Sequence, residues 1–276
     1  MTVNGNYITL AGQTAPGKGI AVQGWPLGLS GASDVIFRHI RVRPGSSTGE
    51  TVDGMGMQGS NYCIFDRCSM GWAIDESFSS RSAKNITFQR NMISEPLNVA
   101  GHQNYPEGTA HGYAATVGGD VASLHHNLIA HAEGRSWSMG GGVDDNANFA
   151  GRLDIRNNVV YNFGASPSFF PSLSRLGLTC VCAGGRVTDG GAMEVNFVGN
   201  LYKQGPASEL TYALQATVPP PILNDIGKRY ANANGCSTRT TSPANSSTTA
   251  PETPCQASST RTQRSTSTTA PDRPPR

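Results

Sequence analysis

"ASLHHNLI", residues 122–129, alternates apolar and polar side chains, breaks at the polar pair His125-His126 and resumes at Asn127 with a second short apolar run. Five more stretches align with it without gaps: "VIFRHIRV" (35–42), "CIFDRCSM" (63–70), "ITFQRNMI" (86–93), "LDIRNNVV" (153–160) and "VNFVGNLY" (195–202). The residue just past the bend is Ile40, Cys68, Asn91, Asn127, Asn158 and Asn200 in turn, and "YITLAG" (7–12) reads as an earlier copy. Alternation over four or five residues marks a half-buried strand. A marker that returns roughly every 22 to 30 residues, with no helical segment between copies, describes a coil that adds a strand at each turn. The fold expected is all-β, a parallel β-helix forming a single solenoid. Asparagine at four of the markers has a physical role there, because stacked carboxamides can satisfy backbone groups left facing inward at a bend. Six unrelated strands of a sandwich fit less well, since Asn-Gly hairpin turns are missing between the copies.

Composition agrees with many short strands joined by turns. The chain has 276 residues with 33 glycines, 14% charged residues and 7% aromatics. A net charge of +2 gives no reason to expect nucleic acid, and its sign comes from the arginines after about residue 225. No apolar run is long enough to span a bilayer, so no membrane partner is expected. Met1 leads into "NGNYITLAGQTAPG" without the pattern of a secretory leader. Cys63, Cys68, Cys180, Cys182, Cys236 and Cys255 form no CxxC pair, which argues against structural zinc. Cys63 and Cys68, inside one strand-like run, read as small buried hydrophobes.

The repeat converts sequence into geometry. With a turn of about 22 residues, positions one turn apart stack roughly 4.8 Å from each other. Asp75 lies seven residues after its marker Cys68, Arg135 eight after Asn127, and Asp53 one turn before Asp75. His111 falls at a similar phase. Asp53, Asp75, His111 and Arg135 are therefore expected to line one face, one per turn, as suits a polyanionic chain lying across the coil. Asp53 and Asp75, with Glu76 beside them, offer the hard oxygen ligands that Ca²⁺ prefers. A cation there can bridge to acidic sugar carboxylates and acidify the proton α to them, while Arg135 takes that proton or holds the developing charge. Trp137, near Arg135, is a candidate for stacking on a sugar ring, whereas Trp72 reads as packing. Asp144-Asp145, in a Gly/Asn-rich stretch, reads as a turn.

"CIFDRCSMGWAIDESFS", "HGYAATVGG", "SLHHNLIAHAEGR" and "GRLDIRNNVVYN" resemble the pectate lyases, calcium-dependent polysaccharide lyases built on a right-handed parallel β-helix. The similarity covers roughly residues 5–163 and 185–213. It implies cleavage of (1→4)-α-D-galacturonan by β-elimination, with Arg135 as the base at C5 and Asp53 and Asp75 as calcium ligands. It also implies a secreted, extracellular enzyme that meets polygalacturonate or pectin as a monomer, its leader lost with an incomplete amino terminus. An arginine base needs its pKa lowered, for which calcium and a second cationic side chain are the expected means. The chain departs from the family where Ser79 replaces a further carboxylate, where a lysine near His111 is missing, and where "RSWSMGGG" (135–142) lacks a second arginine. The alternative to a lyase is a non-catalytic β-helix that binds acidic polysaccharide, or an inactive homologue.

One interval breaks the period. Asn158 and Asn200 are 42 residues apart, and removing the 20 residues 165–184 leaves 22. That segment is expected to be an insertion or a retained intron, with a loop over the cleft or a Cys180/Cys182 redox feature as rival readings. Its removal also sets Arg186 eight residues after Asn158, in the phase of Arg135 and one turn above it, as a substrate-binding cation. The solenoid is expected to span 1–213, followed by a disordered Ser/Thr/Pro-rich tail over 214–276.

Overall fold

In the computed structural model every aligned stretch is two short strands meeting at a corner. Val35–Arg38 turns into Ile40–Arg43, Lys84–Gln89 into Met92–Ser94, Asp120–His125 into Leu128–Ala130, and Arg152–Arg156 into Val159–Tyr161. The first strands form one seven-stranded sheet and the second strands another. A third sheet of eight strands, running through Leu27–Ser30, Met55–Gln58, Phe78–Ser79, Ala115–Val117 and Ser138–Gly140, completes each turn. All pairs within these three sheets are parallel, as a chain that re-enters each sheet from the same side requires. The description covers residues 1–140, 142–143, 149–164, 185–188, 194–208 and 214–215, and among them there is no α-helix. None of the described residues forms a helix long and apolar enough to cross a membrane. The expected all-β parallel β-helix is the fold observed.

The corner is made by one left-handed residue per turn. His39, Arg67, Arg90, His126 and Asn157 have φ between 53° and 57°, and Gly199 has 63°. The polar pair seen in the sequence therefore has a backbone purpose: its second residue reverses the pleat. A bulky side chain at positive φ is tolerated because it points to solvent while neighbouring turns hold the strands on either side.

Inside, apolar positions stack turn upon turn. Leu10, Phe37, Phe65, Phe88, Leu124, Ile155 and Phe197 are register partners in succession. The Phe37 and Phe65 rings lie parallel with centroids 5.2 Å apart. Cys63 and Cys68 are free and buried, as expected; burial pushes the Cys68 thiol up to about 11.

The markers form a buried carboxamide ladder. Asn158 Nδ2 donates to Leu124 O (2.9 Å) and to Asn200 Oδ1 (2.9 Å), while its Oδ1 accepts from the backbone and side-chain amides of Asn127 (2.9 Å each). Asn127 and Asn91 repeat the pattern against Phe88 O and Phe65 O, and Asn91 Oδ1 accepts the backbone amide of Cys68 (2.7 Å). Each rung satisfies a corner that strand pairing leaves open.

The coil was expected to end at 213. Leu214–Gln215 is a strand paired with Gly185–Arg186, so the coil extends past that point because its last described strand completes the third sheet. Segment 165–184, the pair Asp144-Asp145, Cys180, Cys182 and the tail beyond 215 lie outside the described residues.

Replacing Asn158 by Leu keeps the volume but removes the donor to Leu124 O and the acceptor of the Asn127 backbone amide, while Asn200 Oδ1 keeps the Asn158 backbone N–H. The expected loss is about 3 kcal/mol or more, since each unpaired buried group costs about 1–3 kcal/mol. Urea unfolding of the full chain checks it, and Asn158→Leu with an unchanged midpoint would contradict the ladder's role.

Candidate functional site

The site lies where successive turns enter the eight-stranded sheet. Gly54 N donates to Glu76 O (2.9 Å), Ser77 N to Tyr113 O (3.1 Å) and Ala114 N to Gly134 O (3.0 Å). Asp53, Glu76, Tyr113 and Gly134 therefore lie side by side on four consecutive turns, with Asp75 and Arg135 next to this row. The turn-length arithmetic set Asp75 over Asp53; the register sets Glu76 there, because Met55 pairs with Phe78, 23 positions on. Tyr113 pairs with Gly134 but Thr116 with Ser138, so one extra residue enters between them. This is a bulge, and Arg135 occupies it at φ 54°. Its side chain reaches back over the Tyr113 ring, 4.0 Å from the centroid, to pair with Glu76 Oε1.

Ligand atoms of Asp53, Asp75 and Glu76 all lie within 4.8 Å of one another. Their environments separate them. Burial, then the facing Glu76 and Asp75, pushes Asp53 up to about 7. Burial also opposes the ionised form of Asp75, but its interactions with His111, the neighbouring Glu76 and His102 outweigh it and hold that carboxyl well below the usual range. Glu76 is almost wholly buried, and its Oε1 accepts from Thr116 Oγ1 (2.5 Å) and pairs with Arg135, with Arg81 3.8 Å away. Three hard carboxylates at this spacing, one of them strained by its acidic neighbours, fit an oxygen-seeking divalent cation.

His111 is placed differently from expectation. It is buried, and its Nε2 lies 2.9 Å from Asp75 Oδ1, so it orients that carboxylate instead of facing a substrate. His102, which the repeat gave no means of finding, approaches the other oxygen, Nε2 to Oδ2 at 3.4 Å. Asp75, His102 and His111 also have the composition of a nitrogen-rich metal site. The Asn104 backbone N–H donates to His102 Nδ1 (3.2 Å), however, which leaves the proton on Nε2. In that tautomer His102 donates to the carboxylate and has no lone pair for a metal.

Two expectations are corrected. Trp137 is fully buried, edge-on to Phe88 at 6.1 Å, so it has no face for a sugar. The bulge at Arg135 shifts the alternation and turns Trp137 into the core. Arg186 pairs in register with Ser138, three positions past Arg135, so it does not stack directly on Arg135. Trp72, read as packing, is 47% exposed at a corner with φ 61°. The depressed Arg135 is also not found: burial lowers its pKa, but Glu76, Tyr113 and Asp75 outweigh this and raise it.

A parallel β-helix with acidic groups from adjacent turns facing an arginine defines the class: a solenoid that presents a carboxylate cluster beside a cationic side chain. Similar proteins narrow it. A protein named "Probable pectate lyase C" from Neosartorya fischeri is 32% identical over 205 residues, covering 74% of this chain and 40% of that one. Its namesake from Aspergillus terreus is 33% identical over 205 residues, 74% of this chain and 41% of that one. That from Emericella nidulans is 36% identical over 163 residues, 59% and 34% of the two chains. The chain thus spans about two fifths of the length of the first two. No family model matches. The solved structure of full-length QnrB1, a plasmid-mediated fluoroquinolone resistance protein, aligns over 72% of this chain and 92% of that one at 10% identity and a TM-score of 0.15, and carries no argument. The chain is related to the pectate lyase family.

The Asp53 environment has a measurable consequence. A folded value of about 7, against roughly 4 in the unfolded chain, means that the cost of ionising Asp53 is absent at low pH, grows between these two values and is complete above the upper one. Asp53→Asn is expected to raise the Tm of the cation-free protein at about pH 8, by an increment that shrinks as pH falls toward about 4. Melts in chelator across that range check it; a lowered Tm on the alkaline side would contradict the assignment.

Proposed function

We propose that the chain is a pectate lyase that cleaves (1→4)-α-D-galacturonan by Ca²⁺-assisted β-elimination outside the cell. The supporting observation is the juxtaposition of Asp53, of Asp75 with Glu76, and of Arg135, delivered by three separate entries into one sheet. The relatives' name supports the substrate class.

Asp53, Asp75 and Glu76 would hold the cation. Bound there, Ca²⁺ supplies a bridge to uronate carboxylates and makes the C5 proton more acidic. Arg135 is the group assigned to C5. Breaking the C5–H bond leaves an electron pair that forms the C4=C5 double bond, the C4–O bond breaks, and the departing oxygen gains a proton. In the cation-free chain the Glu76 pairing keeps the guanidinium protonated, the form that stabilises charge developing on the substrate carboxylate. A base role requires that this pairing be withdrawn. The Tyr113 ring holds the guanidinium plane in place in either case.

Incubation with polygalacturonate is expected to produce an unsaturated product absorbing at about 235 nm, abolished by chelator and restored by Ca²⁺. Arg135→Lys is expected to lower kcat by about 100-fold or more while binding persists. New reducing ends without that absorbance would indicate hydrolysis and overturn the reading. Binding without any product would favour the non-catalytic polysaccharide-binding alternative.

A further inference from the structure

The excursion from Glu95 to Ala114 leaves one sheet at Ser94 and re-enters the coil at Ala115, and its tip doubles back across two turns. Gln103 N–H donates to Thr51 Oγ1 (2.9 Å), and its side-chain Nε2 donates to Gly49 O (2.8 Å). These partners sit on the earlier excursion, 44–54, that delivers Asp53. The adjacent His102 turns the other way. It is 6% exposed, fixed as the Nε2–H tautomer by Asn104, covered by the Tyr105 ring at 4.6 Å, and set against Asp75 Oδ2. One dipeptide therefore touches both the loop carrying Asp53 and the carboxylate of Asp75. Of the backbone links between those two segments, Gly54 N–H to Glu76 O is 2.9 Å, whereas the one on the loop side, Asp75 N–H to Val52 O, is long at 3.5 Å.

We infer that His102 and Gln103 form a clasp, positioning residues that hold the Asp53 and Asp75 loops at the ligand spacing of a divalent, oxygen-seeking cation. The inference rests on the cation reading above and adds what sets the site's affinity. Two like-charged carboxylates on separate loops move apart when nothing restrains them, and the clasp supplies a restraint made of neutral hydrogen-bond donors. Because His102 donates from a fixed tautomer, the needed property is an N–H at the Nε2 position rather than a charge.

Calorimetric titration of the full chain with CaCl₂ tests this without reference to activity. His102→Leu is expected to weaken Ca²⁺ binding about tenfold or more, as loss of a group that orients a ligand does elsewhere. His102→Gln, which keeps an amide N–H at that position, is expected to recover most of the affinity. Thr51→Val and Gln103→Ala, at the far end of the clasp, are expected to weaken binding with little change in Tm, and they decide the matter if His102→Leu fails to fold. A wild type that binds Ca²⁺, with all the variants matching it, would overturn the clasp and leave the cation reading standing. Equal loss in His102→Gln and His102→Leu would likewise overturn the donor role. A wild type that does not bind Ca²⁺ would overturn both.

Discussion

The vertical register of the coil is the constraint on which everything else depends. Parallel pairing sets neighbouring turns roughly 4.8 Å apart, and two buried ladders lock which residue sits over which. One is apolar, from Leu10 through Phe37, Phe65 and Phe88 to Phe197; the other is the carboxamide stack of Asn91, Asn127, Asn158 and Asn200. Neither ladder touches the cleft. With the register fixed on two faces, excursions of unequal length can enter the third sheet and still deliver their side chains beside one another. The carboxylates at 53, 75 and 76 and the arginine at 135 are far apart in sequence and become neighbours for that reason.

The cleft is where the fold accepts electrostatic strain. Three carboxylates share a space that would suit one cation, and the chain manages them in three ways. Asp75 is stabilised by donated hydrogen bonds, Glu76 by Arg135 and Thr116, and Asp53 by neither, so it retains a proton up to about 7. Arg135 is raised by the same neighbours that a base would need to lose.

Most of the fold was legible because it repeats. The alternation, the polar corner and the asparagine marker each recur often enough to reveal period and phase, and the corner's left-handed residue explains why glycine replaces a polar side chain at position 199. The same phase pointed to Asp53, Asp75 and Arg135 on one face, although the register stacks Glu76 rather than Asp75 on Asp53. Residues whose role depends on local departures from the period were not legible. The bulge beginning at Arg135 inserts one residue and turns Trp137 inward, and Arg186 falls in register with Ser138 rather than with Arg135. His102 lies in an excursion with no phase at all, so its contact with Asp75 follows from how the loop folds back. The one hint was a histidine outside the repeats, a few residues ahead of "HGYAATVGG".

The most direct test of the central claim, that two successive turns of the coil assemble one cation site beside Arg135, is an anomalous difference map from crystals of the full chain soaked in calcium. The account predicts a peak about 2.3–2.6 Å from carboxylate oxygens of Asp53, Asp75 and Glu76. A peak confined to other residues, or none at saturating calcium, would contradict it.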